Sequence, residues 1–438
     1  MDHFAYRAGE LACENVDLAA VAREVGTPTY VYSKATIALH HSRLVEAFAD
    51  LRPKVCFAVK ACSNLHVLRT LAGLGAGLDV VSGGELARAR LAGVPGESIV
   101  FAGVGKTDEE IRSALGADGP PIGLFNIESE PEFEVIAAAA RSMRVAARAA
   151  LRVNPHVAAG GHDYISTAKR ESKFGVDPEH AARIFERFAR EKHLRLTGVH
   201  LHIGSSINTT EPYVRAVERT LKLIDDLAAR GVRVETLDLG GGFGADYHTG
   251  DAPPASAFAA AIVPLLKDRV AAGLRIILEP GRSIIANAGV LLTRVLYVKH
   301  AAARKFVVCD AGMHTLIRPS LYGAFHFIWP TSVSPQHEPA RRDEALDLPG
   351  LERADVVGPV CESGDFLAKD RPLPPVARGE LLAVYAAGAY GMTMASRYNS
   401  HPLPAEVLVD DDRAVVIRER ERVEDLFAHE RTVRDLEV

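Results

Sequence analysis

The chain is short of paired cysteines, of excess charge and of long apolar runs. Its five cysteines, at 13, 56, 62, 309 and 361, are an odd set without the close pairing of a zinc site. Neither a disulfide framework nor a metal site is expected, and a reducing, cytoplasmic setting is. A net charge of −5 gives no electrostatic reason to expect a nucleic acid or an anionic membrane surface as partner. No apolar run reaches the length that crosses a bilayer, and the opening MDHFAYRAGE mixes acidic, basic and polar residues, unlike a secretory signal. Internal repeats and low-complexity tracts are also missing. What is there is ordinary globular sequence, with 48% apolar and 24% charged residues in 438. That length suits two domains, or one large barrel with an appendage.

Short apolar, β-branched runs alternate with helical patterns from about residue 35 to 285. They end near Lys60, Val81, Ala102, Asn126, Val153, Ile203, Leu239 and Glu279. Amphipathic stretches such as EPYVRAVERTLKLIDDLAARG lie between them, this one closed by Gly231. Eight such repeats predict an α/β fold of the (β/α)8, TIM-barrel type rather than an open sheet. Beyond residue 286 strand-like runs follow one another with few helices, which predicts a C-terminal all-β domain. AEVLVDDDRAVVIRE within it reads as a hairpin turning at Asp411 and Asp412. The N-terminal TPTYVYS reads as a strand able to join that domain, and SVSPQHEPARRDEALDLPG as a surface loop. The expected division is 1–34, 35–285 and 286–438.

In a barrel of this kind the strand C-termini converge on one face, where chemistry collects. Lys60, Asp79, Asn126, Asn154, His202, Gly240 to Gly242 and Glu279 all fall there. Asp79, Asn126 and Asn154 are equally ordinary turn residues, and Ser82 with Glu85 has the spacing of a plain capping box. Lys60, closing CFAVK, is either a solvated strand end or a partly desolvated amine able to condense with a carbonyl. LDLGGGFG offers backbone N–H groups to an anion, and GVHLHIGSS adds Ser205 and Ser206 as donors and His202 as a flat ring. In LEPGR, Glu279 is placed to keep a pyridine nitrogen protonated, with Gly281 and Arg282 following and Arg282 suited to grip a carboxylate. Lysine, anion nest and carboxylate together describe a pyridoxal 5'-phosphate site. GPVCESGD carries Cys361 between glycine and acidic residues, either a reactive thiol or a small buried hydrophobe. Arg318 and Tyr322, in RPSLYGA, are candidates for a second anionic group.

GTPTYVYS, FAVKACSN, DVVSGGEL, FAGVGKT, SKFGV, GVHLHIGSS, LDLGGGFG, LEPGR, IRPSLYGA, GPVCESGD and AGAYGM occur in this order. The set resembles the diaminopimelate decarboxylases, a family within the alanine-racemase-like, fold type III enzymes that use pyridoxal phosphate. The resemblance implies a barrel followed by a β-domain that takes in the N-terminal strand, and a homodimer with shared active sites. It implies that Lys60 holds the cofactor covalently, that His202 stacks on its ring, and that Ser205, Gly240, Gly241 and Gly242 bind its phosphate. Glu279 would meet the ring nitrogen. Arg282, Arg318 and Tyr322 would hold substrate carboxylates, and Tyr390 would touch cofactor and substrate. Cys361 and Glu362, from the partner subunit, would serve as proton donor and substrate ligand. Departures are Cys62 for the more usual asparagine, Ser206 for glutamine, and His401 and Leu403 where arginines are common. Residues 325–349 match weakly.

The function expected on these grounds is decarboxylation of meso-2,6-diaminopimelate to L-lysine. A related decarboxylase of ornithine, arginine or a carboxylated polyamine is the alternative. From another class comes an inactive relative that regulates by dimerising.

Overall fold

The computed structural model describes residues 2–157, 173–302 and 304–434, so the first residue of the SKFGV motif lies outside them. The chain separates into two compact units. One comprises Met1–Ile37, Asp246–Gly250 and Ile285–Val438, the other Ala38–Ala245 and Asp251–Ile284. The excursion of 246–250 into the first unit has no signature in the sequence.

At the N-terminus β1 (Phe4–Arg7), β2 (Glu10–Cys13) and β3 (Val16–Asp17) make a small antiparallel sheet, and β4 (Thr29–Ser33) follows. The second unit is a closed barrel of eight parallel strands in chain order. They are β5 (Lys54–Ala58), β6 (Gly77–Val80), β7 (Ile99–Phe101), β8 (Leu124–Ile127), β9 (Ala147–Arg152), β10 (Leu194–His200), β11 (Thr236–Asp238) and β12 (Arg275–Leu278). The seam closes where Ile277 and Leu278 pair with Lys54 and Val55. Helices connect the strands, as parallel pairing requires. The helix Glu211–Ala229 shows why they stay on the outside. Tyr213, Ala216, Val217, Thr220, Leu223, Ile224 and Leu227 are buried at three- and four-residue spacing, one apolar stripe on an otherwise charged helix.

The remaining strands, β13 (Gly289–Ala301), β14 (Arg304–Cys309), β15 (Ile328–Pro330), β16 (Glu352–Val357), β17 (Phe366–Leu373), β18 (Leu381–Val384), β19 (Ala405–Asp410) and β20 (Arg413–Arg418), belong to the first unit. With β4 they build a nine-stranded sheet whose main path runs β17-β16-β14-β13-β4-β19-β20. The N-terminal strand β4 is thus interior, antiparallel to β13 and parallel to β19. Its residues are buried throughout, in keeping with the apolar TYVYS run. The β19–β20 hairpin turns through Asp411, whose φ of 58° is left-handed, a conformation that Asp tolerates better than most residues. Residues 332–350 form a largely exposed loop holding one 3-10 turn, Pro335–His337.

Candidate functional site

Strand alternation builds the site. Cys56, Val100, Leu124, Ala150 and Ile277 form a buried cluster inside the barrel. A side chain two residues further along a strand points to the same face. The next inward positions are therefore Asn126 on β8, Arg152 on β9 and Glu279 just past β12. Asp79, His200 and Asp238 hold the corresponding places on β6, β10 and β11. All six are buried. A polar layer thus rests on an apolar plug at the C-terminal ends of the strands, the face on which barrel chemistry collects.

Three carboxylates in one dry layer need compensation, since an unpaired buried charge costs several kcal/mol, roughly. Asn126 Nδ2 donates to both Asp238 Oδ2 and Glu279 Oε1, each at 3.0 Å. His200 Nε2 lies 3.3 Å from Glu279 Oε2. Burial, and after it the charge of Asp79, push Glu279 up to about 8. Burial and then the Glu279 charge push Asp238 well above the usual carboxylate range, and a side-chain hydrogen bond joins the two acids. Burial holds His200 neutral, down to about 4. One ligand atom each of His200, Asp238 and Glu279 lies within 4.8 Å of the others, a spacing a cation could use, although hydrogen bonds already join them.

Lys60 sits on the 3-10 turn Val59–Ala61 directly after β5 and pairs with the fully buried Asp79 Oδ2. Asp79 Oδ1 has no hydrogen-bond partner among the described residues. The Lys60 side chain is 35% exposed, so its amine is reachable while its counter-ion is not. Gly281 makes room beside it. A Cβ there would come within 3.0 Å of Ala61 Cβ and 3.1 Å of Ala58 Cβ.

The glycine nest follows β11. Gly240 and Gly242 have φ of 66° and 100°, which L side chains rarely adopt. A Cβ on Gly241 would run into the Glu279 carbonyl oxygen, so the nest packs directly on the strand end that carries the carboxylate. Tyr213 secures it from the helix side, its hydroxyl donating to Gly241 O at 2.7 Å. His202 lies against the nest, with Gly241 N–H 3.4 Å from its Nδ1. Burial, then the Arg152 and Lys60 charges, hold His202 well below its ordinary pKa. The Arg282 guanidinium donates to Ser205 Oγ from Nε at 3.3 Å and Nη2 at 3.1 Å.

Several residues that the sequence reading passed over support this layer. Lys106, in FAGVGKT, is almost wholly buried. Its ammonium reaches Glu132 Oε1 at 2.6 Å, Gly103 O at 2.8 Å and the Asn126 carbonyl at 2.9 Å. Arg152 donates to Glu128 Oε1 at 2.7 Å and stacks 4.6 Å from the Phe174 ring. His200 was legible as the partner of His202, two positions away on GVHLHIGSS, and Asp238 as the acid beside the glycines. Asn154 caps a turn, accepting from His156 N–H at 3.0 Å, its ordinary structural role. Ser82 does cap the helix Gly83–Leu91, but Glu85 returns to Val81 N–H rather than to the cap residue, so the box is incomplete.

In the other unit, Arg318 opens the short helix Arg318–Tyr322 and is buried. It contacts His326 Nε2 at 2.7 Å and stacks 4.6 Å from the Tyr247 ring. Tyr322, at the helix end, is half-buried. Tyr390 carries a φ of 55°, an uncommon state for a bulky residue. The two acids of GPVCESGD have separate duties. Asp365 accepts from Met313 N–H and Val360 N–H, both at 2.6 Å, and so shapes the turn. Glu362 accepts from Tyr398 OH at 2.7 Å on the surface. Cys361 is exposed rather than packed, and its N–H donates to Asn399 Oδ1.

The barrel end offers a reachable lysine, a buried carboxylate held by neutral donors, and a glycine turn at which any Cβ would meet a backbone oxygen. These suit the aldehyde, ring nitrogen and phosphate of pyridoxal 5'-phosphate. The fold and this set define a barrel enzyme that uses that cofactor. Residues 34–286 match the family model described as pyridoxal-dependent decarboxylase, pyridoxal binding domain. The diaminopimelate decarboxylase of Pseudomonas aeruginosa is 46% identical over 98% of this chain and 99% of its own. Among solved structures, diaminopimelate decarboxylase from Helicobacter pylori complexed with L-lysine superposes with a TM-score of 0.86. It is 38% identical and covers 94% of this chain and 99% of that one. The M. jannaschii enzyme in co-complex with L-lysine gives 0.90 at 34% identity, over 99% and 98%. This chain belongs to the pyridoxal-dependent decarboxylases, within the group of the diaminopimelate decarboxylases. No helix among the described residues is long and apolar enough to cross a membrane.

Proposed function

We propose that this chain removes CO2 from meso-2,6-diaminopimelate to give L-lysine, as a cytoplasmic homodimer with shared active sites. The observation that carries the reading is the pairing, at one barrel mouth, of the reachable Lys60 with the buried, donor-held Glu279. When bound, pyridoxal phosphate supplies a pyridinium that takes up the electron pair of the broken bond between Cα and the carboxylate. Lys60 would hold the cofactor through its amine, with Asp79 as the counter-charge beside it. Glu279 holds a proton at the ring nitrogen. A carboxylate pushed up to about 8 carries that proton at neutral pH before the cofactor arrives. His202, held neutral by burial, would stack on the ring. Gly240, Gly241, Gly242 and Ser205 bind the phosphate, and the Arg282–Ser205 hydrogen bonds support placing Arg282 on the phosphate side.

Arg318 and Tyr322 hold the distal carboxylate, and Tyr390 touches cofactor and substrate. Glu362 binds the substrate, and Cys361 protonates Cα, both from the partner subunit. An exposed thiol on a turn set by Asp365 suits a proton donor better than a core hydrophobe. CO2 release across diaminopimelate isomers, ornithine, lysine and arginine tests the substrate. Release from the meso isomer well above the others is expected, and faster release from ornithine would sink the assignment in favour of the related decarboxylase. Lys60→Ala is expected to abolish turnover and covalent cofactor retention, and wild-type-like release from that variant would end the proposal.

A further inference from the structure

Glu279 has two oxygens, and the barrel supplies each with a donor from below, Asn126 Nδ2 at 3.0 Å on Oε1 and His200 Nε2 at 3.3 Å on Oε2. His200 and Glu279 are both nearly inaccessible to solvent. The other ring nitrogen, Nδ1, is buried and has no hydrogen-bond partner among the described residues. That combination decides the tautomer. A proton on Nδ1 would be a buried, unpaired donor, costing about 1–3 kcal/mol, whereas a proton on Nε2 is used by Glu279 and leaves Nδ1 a bare lone pair. The titratable groups around the ring are Glu279, Asp238, Asp79 and Glu128 on one side of the balance and Arg152 on the other. Desolvation outweighs this acidic excess, and the imidazole stays uncharged.

We propose that His200 is a positioning residue, an Nε2–H donor that aims the Glu279 carboxylate at the cofactor ring nitrogen. An imidazolium at 3.3 Å would form an ion pair with Glu279 and compete with the ring nitrogen for the carboxylate. A residue without a donor would leave Oε2 unaimed and raise the carboxylate pKa further. A neutral donor avoids both. Asn126 performs the same office on Oε1, also without charge, so neither donor offsets the charge that Glu279 would carry once its proton lies on the ring nitrogen. This inference rests on the cofactor reading above and adds to it a residue whose electrical state tunes the ring.

The test uses the cofactor-loaded protein with His200→Gln, which keeps a neutral N–H donor, and His200→Leu, which does not. The cofactor dissociation constant should rise about tenfold or more in His200→Leu, the loss of roughly one buried hydrogen bond to a charged group. His200→Gln should recover most of it. The pH profile of the bound cofactor's visible absorbance should shift in the leucine variant and stay near wild type in the glutamine variant. Independently, 15N NMR of histidine-labelled protein, assigned by the signal lost in His200→Gln, should show a neutral Nε2–H ring from about pH 5.5 to about pH 8. A cationic ring or an Nδ1–H tautomer in that range overturns the inference. So does a leucine variant with wild-type affinity and absorbance profile. A wild-type chain that takes up no cofactor would defeat the functional reading instead, and the NMR result would still judge the state of His200. If the leucine variant does not fold, the glutamine variant and the NMR signal decide.

Discussion

Lys106 lies under the site without belonging to it, and its removal should be felt in two ways. An ammonium has three N–H donors, and here each has an acceptor, Glu132 Oε1, the Gly103 carbonyl and the Asn126 carbonyl. The side chain is 1% exposed and that of Glu132 10%. Lys106→Met keeps most of the stem and deletes the charge. It leaves a buried carboxylate with one remaining donor among the described residues, the Glu128 N–H, and takes a donor from each of two carbonyls. Breaking a buried pair in this manner costs about 3–5 kcal/mol, a large part of a total stability of about 5–15 kcal/mol.

The sign of the pH dependence follows from Glu132. Burial already raises its pKa, and Lys106 is the chief opposing influence, so the variant's Glu132 must rise further. A carboxyl whose folded pKa lies above its unfolded value, about 4.3, loses stability as pH climbs from there through the folded pKa. The variant should therefore suffer least in mild acid and most above neutrality. Lys106→Met with Glu132→Gln removes the stranded charge and should regain most of the loss, the signature of a coupled pair. Urea midpoints of the cofactor-free protein at about pH 5 and about pH 8 measure all of this. A loss under about 1 kcal/mol, or a double variant no better than the single, would refute the reasoning. Because Lys106 also grips the Asn126 carbonyl, the single variant should bind cofactor more weakly as well.

Gly241→Ala should cost about 1–3 kcal/mol by overpacking and weaken cofactor binding, because the new Cβ meets the Glu279 backbone. Gly84→Ala is the control. Its Cβ meets only Ser82 Oγ at 3.8 Å, within the helix Gly83–Leu91, so thermal unfolding should be unchanged or slightly higher. Equal effects of the two substitutions would show that the clash is not what matters. Glu85, pushed up to about 7 by burial, should make cofactor-free protein less stable as pH rises from about 4.3 through about 7. Glu85→Gln keeps an oxygen acceptor for Val81 N–H, and its thermal midpoint should fall less over that interval. A parallel fall in both proteins would remove Glu85 as the cause.

Much of the architecture was legible because it rests on local pattern. Alternating runs and amphipathic stretches announced eight strands, and the expected ends fall within three residues of the observed ones, the widest gap being Ile203 against His200. The hairpin at Asp411 and the joining of TPTYVYS to the β-rich unit were legible in the same way. The small sheet β1–β3 escaped notice because strands of two to four residues are too short to show a period. Lys60, Glu279 and the glycines stood out because residue type alone points to their chemistry. A lysine after an apolar run, an acid before Pro-Gly and three consecutive glycines are unusual wherever they occur.

Residue type could not reveal what the neighbours make of a side chain. His200 reads like His202, Lys106 like any loop lysine and Asp365 like a second acid beside Cys361. Their states follow from groups more than twenty residues away in the chain, Glu279 for His200, Glu132 for Lys106, and the Met313 backbone for Asp365. The strand pattern thus settles which residues arrive at the barrel mouth. Closure of the barrel decides how they are charged, because desolvation and Coulomb interaction depend on distance in space and on the loss of water. Burial makes His200 a neutral donor and Glu279 a proton holder, and no window of sequence contains that burial.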